Sequence, residues 1–275
     1  MDTLIKYNLD FIPLSFDELN ALLPPEANSL AVFAVYSTET SIPPNLLAYV
    51  IEIAKYFDAV ILSTTQQLGE SGATSLPSNC RILQVSNICH DFGQWFRILK
   101  AIPLGRLQKI GLFNNSCRIL KPLDIVFATA DALPVDKQTF WGLTGSEERA
   151  PHVQSFFLNF TGKGVTALLE FAQEKLIDPQ QMLNKDYVID TFEIGLSVAF
   201  QLQGIELTCI YPTSTLRGVK SCVNPDYELL HPELHRTNPS KYLWDILLLV
   251  GCPILKDSRV HYPNEEEFIN TFMSY

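Results

Sequence analysis

The stretch SLAVFAVYS, Ser29–Ser37, decides the fold. Between its two serines every residue is apolar or aromatic, so the segment has no polar face. A half-exposed strand alternates polar and apolar residues. An unbroken run reads as a strand covered on both sides, as in a parallel sheet with helices on each face.

The flanking segments fit that reading. IPPNLLAYVIEIAKYF (Ile42–Phe57) places prolines where a first helical turn tolerates them and repeats apolar residues at helical spacing. DAVILSTT (Asp58–Thr65) and RILQV (Arg81–Val85) read as second and third strands. FGQWFRILKAI (Phe92–Ile102) reads as a helix and KIGLFNN (Lys109–Asn115) as a fourth strand. The β-α-β-β-α-β order predicts a mostly parallel sheet flanked by helices. Ligands of such sheets bind outside the carboxyl ends of the strands. Two polar clusters fall there, Asn87–Gly93 and Asn114-Asn115-Ser116.

The second half is more mixed. FWGLT (Phe140–Thr144) and VQSFFLNF (Val153–Phe160) are strand-like, separated by a polar loop. Helical patterns come next at Gly164–Leu176 and Tyr187–Gly204, then a short strand in IELTCIYP (Ile205–Pro212). Thr213–Asn238 is polar and turn-rich and reads as a loop or lid. NPSKYLWDILLLVG (Asn238–Gly251) is the last strong helix, followed by an extended segment. No repeat or linker divides the chain, so one composite domain is expected over 1–275, with 1–28 as an N-terminal extension.

Composition narrows the function. Hydrophobic residues make up 47% of the chain and charged residues 18%, enough for a large core. The net charge is -10 and no basic stripe occurs, which argues against nucleic acid as a partner. No signal peptide or membrane-spanning run is evident, and the six cysteines are scattered without a C-x-x-C pair. A cytoplasmic protein with reduced thiols is expected. No G-x-G-x-x-G follows a strand, which counts against a dinucleotide-binding dehydrogenase.

Taken in order, several stretches resemble the rhamnan synthesis protein F family of glycosyltransferases. They are AVFAVYSTETSIPPNLLAYV (Ala31–Val50), NICHDFGQWFRIL (Asn87–Leu99) and GLFNNS (Gly111–Ser116), then FWGLT, HVQSFFLNF (His152–Phe160), DTFEIGLS (Asp190–Ser197) and NPSKYLWDILLLVGCPILK (Asn238–Lys256). The resemblance runs from about Ser29 to Lys256. It implies a GT-A type, Rossmann-like fold and a nucleotide-sugar donor, dTDP-L-rhamnose. The acceptor would be a glycan or lipid-linked glycan of a growing cell-surface polysaccharide. On this reading 29–132 is the nucleotide-sugar-binding half and 133–275 the acceptor-side half.

The chain departs from the family pattern at four places. Cys89 and His90 stand where Gly and Tyr are usual, Val35 replaces a His, and Asn115 replaces the Asp of an N-D-S motif. That Asp position implies a divalent cation, Mg²⁺ or Mn²⁺, with Asn115 and His152 as the residues to hold it. A neutral amide is a poor ligand for so hard an ion. Either the metal binds weakly or cationic side chains replace it, with Arg97, Arg118, Lys121, Arg149 and Lys163 nearest in sequence.

The candidate donor-binding residues are Asn87, Asp91, Gly93, Asn114, Asn115, His152, Gln154 and Ser155. Asp91 suits either a helix cap or a ligand contact. Asn114-Asn115-Ser116 is a strand-ending turn or part of the donor site. His152 is a capped loop residue or a phosphate contact, and the family's H-x-Q-S match, completed by Gln154 and Ser155, favours the second. Asp190 and Glu193 lie three apart on one predicted helix, so they share a face. Asp190 reads as a solvated or salt-bridged helix acid. Glu193, in an apolar stretch and matching E-x-G-L-S, is the candidate catalytic base of an inverting transfer. Lys256 reads as a surface lysine or a phosphate contact. The alternative function is a non-catalytic sugar-nucleotide or glycan-binding protein that kept the fold and lost the metal-binding carboxylate.

Overall fold

The structure, a computed structural model, describes residues 14–36, 41–65, 75–85, 89–175, 180–181, 183–224, 238–259, 261 and 263–274. Asn87 therefore lies outside the described residues.

The first half alternates as expected: α1 (Phe16–Leu22), β1 (Ser29–Val35), α2 (Pro44–Ala54), β2 (Ala59–Thr64), β3 (Cys80–Gln84), α3 (His90–Leu99) and β4 (Lys109–Asn114). A short strand β5 (Cys117–Ile119) and helix α4 (Asp124–Asp131) lead to β6 (Phe140–Gly142). The expected strand Val153–Phe160 is instead split. Its start forms a small antiparallel hairpin, β7 (Gly145–Ser146) with β8 (His152–Val153), and its end forms β9 (Phe157–Thr161). Helix α5 (Lys163–Glu174) comes after it. The next expected helix is α6 (Lys185–Val188), a π-helical turn Ile189–Ile194, and α7 (Gly195–Leu202). The remaining elements are β10 (Thr208–Cys209), α8 (Thr213–Val223), α9 (Pro239–Tyr242), α10 (Trp244–Leu249), β11 (Ile254–Lys256) and α11 (Glu265–Ser274).

Seven strands form one mixed sheet in the order β10-β6-β9-β4-β1-β2-β3, in which β9 alone is antiparallel to its neighbours. Strand β1 sits near its centre, and Leu30 to Val35 are all buried. Leu30, Val32 and Ala34 face one core with α3, α5 and α7; Ala31, Phe33 and Val35 face a second with α2 and α4. The unbroken apolar run thus serves two cores at once, each fully buried Val, Leu or Phe contributing about 1.5–3 kcal/mol. Among the described residues no helix is long and apolar enough to cross a membrane.

Two further expectations are corrected. The Thr213–Asn238 loop begins as helix α8, because Leu216 and Val219 lie three apart and pack into the second core. Few other apolar residues mark it, so its composition hides the helix. The last helix is broken at Leu243, whose φ of -121° and ψ of 26° separate α9 from α10.

Helix α5 touches the loop before β6 closely. A Cβ at Gly164 would overlap the Thr139 carbonyl. In an open helix Gly→Ala gains roughly 0.5–1 kcal/mol. Here Gly164→Ala is expected to lower the unfolding free energy by about 1–3 kcal/mol instead, measured as a fall in the denaturation midpoint at unchanged m-value.

Candidate active site

Helix α3 brings the first acid to the strand ends. It is held by two buried contacts: the Val35 amide donates to Gln94 Oε1 at 3.3 Å, and Trp95 Nε1 donates to the Phe113 carbonyl at 3.2 Å. These clamp the helix over the last residues of β1 and β4. Its first turn then presents Asp91 to Asn114, whose Nδ2 donates to Asp91 Oδ2 at 2.6 Å. Asn114 Oδ1 accepts from the Ser116 amide at 3.1 Å and hydroxyl at 2.6 Å, which fixes the amide orientation. The chain enters α3 through Cys89 and His90 with φ of 53° and 52°. Each left-handed residue costs about 1–2 kcal/mol without glycine. A glycine at position 89 would take this turn freely.

A cavity of about 810 Å³ opens beside Asp91 and Asn114. It gathers residues from segments far apart in the chain, and of the candidates Asp91, Asn114, His152, Gln154, Ser155 and Glu193 line it. Glu193 projects from the π-helical turn, and its Oε1 accepts from the Ser155 amide at 2.8 Å. His152 Nδ1 lies 2.7 Å from the Ala150 carbonyl, which can only accept, so Nδ1 carries the proton. Its Nε2 sits 3.9 Å from Glu193 Oε1. Asp190 does not join Glu193: with Asp186 it pairs with Arg149.

Gln154 is engaged on both sides. Oε1 accepts from the Thr144 hydroxyl at 2.6 Å, and Nε2 donates to Asn238 Oδ1 at 2.9 Å. It ties the β8 end to the start of α9. Gly93 is buried in the first turn of α3 and does not line the cavity.

Asn115 also stays outside it. Its Oδ1 accepts from the Tyr36 amide at 3.3 Å and its Nδ2 donates to the Tyr36 carbonyl at 2.8 Å, so the amide splices the ends of β1 and β4. A carboxylate could make only the first of these bonds. Among the described residues no group of three His, Cys, Asp or Glu side chains could hold a metal ion. Asn115, turned to the Tyr36 backbone, is not placed to hold a cation in the cavity.

Of the five cations expected to stand in, only Arg149 lines the cavity; Lys185, Lys241 and Lys256 join it. Lys256 arrives on β11, which pairs antiparallel with β5, and its ammonium lies 4.8 Å from the Phe156 ring centroid. Three carboxylates, Asp91, Glu148 and Glu193, share the walls with these four cations. Burial raises the Asp91 carboxyl above its ordinary value; the Asn114 amide, Lys256 and His90 pull it back, and Glu193 adds to the rise.

No protein-family model matches the chain, and no curated protein matches it. Solved structures show a partial likeness. One is 4-diphosphocytidyl-2C-methyl-D-erythritol synthase from Anaerococcus prevotii DSM 20548, at 12% identity over 69% of this chain and 88% of that one, with a TM-score of 0.43. A second is the glycosyltransferase GlyE of Streptococcus pneumoniae TIGR4, at 9% identity over 90% of this chain and 60% of that one, TM-score 0.45. A third is HddC from Yersinia pseudotuberculosis, at 11% identity over 57% of this chain and 84% of that one, TM-score 0.35. At these values the likeness assigns no activity.

Two substitutions test the geometry. Asn115→Asp is expected to cost about 1–2 kcal/mol of stability, because the Tyr36 carbonyl loses its donor, and to create no Mn²⁺ binding by calorimetry. Asp91→Asn is expected to stabilise the fold at pH 7. A raised folded pKa means the native state binds more protons than the unfolded chain, so wild-type stability falls as pH rises through that window. The advantage of the variant should vanish below the unfolded carboxyl pKa of about 4, as read from urea melts across pH.

Proposed function

We propose that the chain is a glycosyltransferase that moves a sugar from a nucleoside diphosphate donor to a hydroxyl of a glycan. The observation that carries this is one cavity, at the carboxyl ends of the parallel strands, that sets a partly buried carboxylate, Glu193, among lysines and an arginine. Sugar transfer needs both: a base for the attacking hydroxyl and positive charge for the departing diphosphate.

In this reading the diphosphate lies against Lys256, Lys241 and Lys185, while Arg149 is held by Asp186 and Asp190. Asp91, oriented by Asn114, accepts hydrogen bonds from donor hydroxyls. The acceptor oxygen attacks the anomeric carbon while the carbon–oxygen bond to the diphosphate breaks, the electron pair leaving with the phosphate. The acceptor's proton passes to Glu193. The Ser155 amide holds one oxygen of that carboxylate, so the other is turned to the proton. His152, with its Nε2 3.9 Å from the same carboxylate, fills the wall beside it. Attack opposite the leaving group inverts the anomeric centre. The resemblance to the rhamnan synthesis family supports L-rhamnose as the sugar, and dTDP-L-rhamnose is the donor to test first.

Nucleotide release from dTDP-L-rhamnose, UDP-sugars and GDP-sugars should identify one preferred donor. Glu193→Gln, which keeps the Oε1 acceptor for Ser155, should lower turnover by about 10²–10⁴-fold with little change in melting temperature. Lys256→Ala should chiefly raise the donor KM. Donor binding by calorimetry without turnover of any donor, acceptor glycans included, would favour the non-catalytic binding protein.

A further inference from the structure

A second cavity of about 370 Å³ is lined by both strands of the β7–β8 hairpin. His152 lines both cavities. The chemistry of the two differs. The second is walled by the hydroxyl-bearing residues Ser146, Thr208, Thr213 and Ser214, with Leu207 and Pro212 supplying apolar faces. Its charged residues are one cation, Lys137, and two carboxylates, Glu147 and Glu206. Lys137 pairs with Glu206 at 3.2 Å, and Glu147 with Arg217 at 3.6 Å. An anion would face two carboxylates here, so the site suits a neutral ligand.

One group asks for a partner. Thr208 is only 7% exposed, and its Oγ1 is buried with no hydrogen-bond partner among the described residues. A buried hydroxyl left unpaired is costly, and a side-chain rotation that turned it to a ligand would remove that cost. The volume falls at the low end of small-molecule sites, about 300–1,000 Å³, which fits a single sugar unit and not a long oligosaccharide.

We propose that this cavity binds a neutral, polyhydroxylated ligand, the sugar unit of the acceptor that lies next to the attacking hydroxyl. As an acceptor subsite it rests on the transferase reading. The acceptor would extend past His152 toward Glu193, with Thr208 and Ser146 reading its hydroxyls and Leu207 and Pro212 covering its C–H face.

The test uses the full chain with methyl α-L-rhamnopyranoside and methyl β-D-glucopyranoside as probes, observed by saturation-transfer NMR. At least one should bind with Kd on the order of 1–10 mM. Thr208→Val should weaken it roughly 3- to 10-fold. Ser214→Trp, at an exposed rim position, should abolish it and serves if Thr208→Val folds poorly. Lys256→Ala, in the main cavity, should leave it unchanged. Absence of binding by both glycosides, binding that survives both substitutions, or displacement by inorganic phosphate would overturn the proposal. Nucleoside diphosphate binding, measured on the same proteins, reports on the transferase reading alone: if it fails while the glycoside signal persists, the sugar site stands and the donor site falls. Acceleration of donor turnover by the glycoside, lost in Ser214→Trp, would establish the acceptor role.

Discussion

The central strands have no exposed side. Strand β1 is buried from Leu30 to Val35, with one core on each face. A charged side chain within it would be stripped of water with no compensating partner. Chemistry is therefore driven to the strand ends, where the chain turns and backbone groups need polar company. The buried Gln94 and Trp95 then exploit two of those ends, and the helix they clamp carries Asp91 into place.

The site that results is assembled from far-separated pieces. Asp91 comes from the start of α3, Asn114 from the end of β4, Ser155 from the loop after β8, Glu193 from the π-helical turn and Lys256 from β11. Most of the polar atoms are tied to one another before any ligand is considered: Asn114 to Asp91 and Ser116, Ser155 to Glu193, Gln154 to Thr144 and Asn238. Such fixed dipoles need little rearrangement when charge develops beside them.

Elements whose apolar pattern survives in three dimensions were legible in the sequence. Of the four parallel strands, β1, β2 and β4 are near-continuous apolar runs, and α3 and α5 repeat at helical spacing. Asp91, Asn114, His152, Ser155 and Glu193 could be picked out because motif and position agreed, and the cavity gathers them. The features that escaped did so for physical reasons. Helix α8 carries few apolar anchors, so composition spoke for a loop. For Lys256 the sequence leaves a surface position and a phosphate contact open; the antiparallel pairing of β11 with β5, which local sequence does not encode, brings it to the cavity. Asn115 sits at the right strand end but spends its amide on the Tyr36 backbone, and residue type alone cannot report which way a side chain turns. The replacement cations were sought near the motif in sequence; three of the four come from beyond residue 180.

The wide turn at Ile189–Ile194 accommodates more backbone per revolution than the α-helical segments on either side. Phe192 is buried against Phe92 and Phe96 on one flank of it, while Glu193 faces the opening on the other. Loss of a single codon here would let the segment relax to ordinary pitch and swing the downstream residues by about 100°. The aromatic anchor and the acid could not then both keep their stations. Chain length at this point therefore matters to the geometry as much as residue identity: removing one residue would part the aromatic anchor from the carboxylate that lines the cavity.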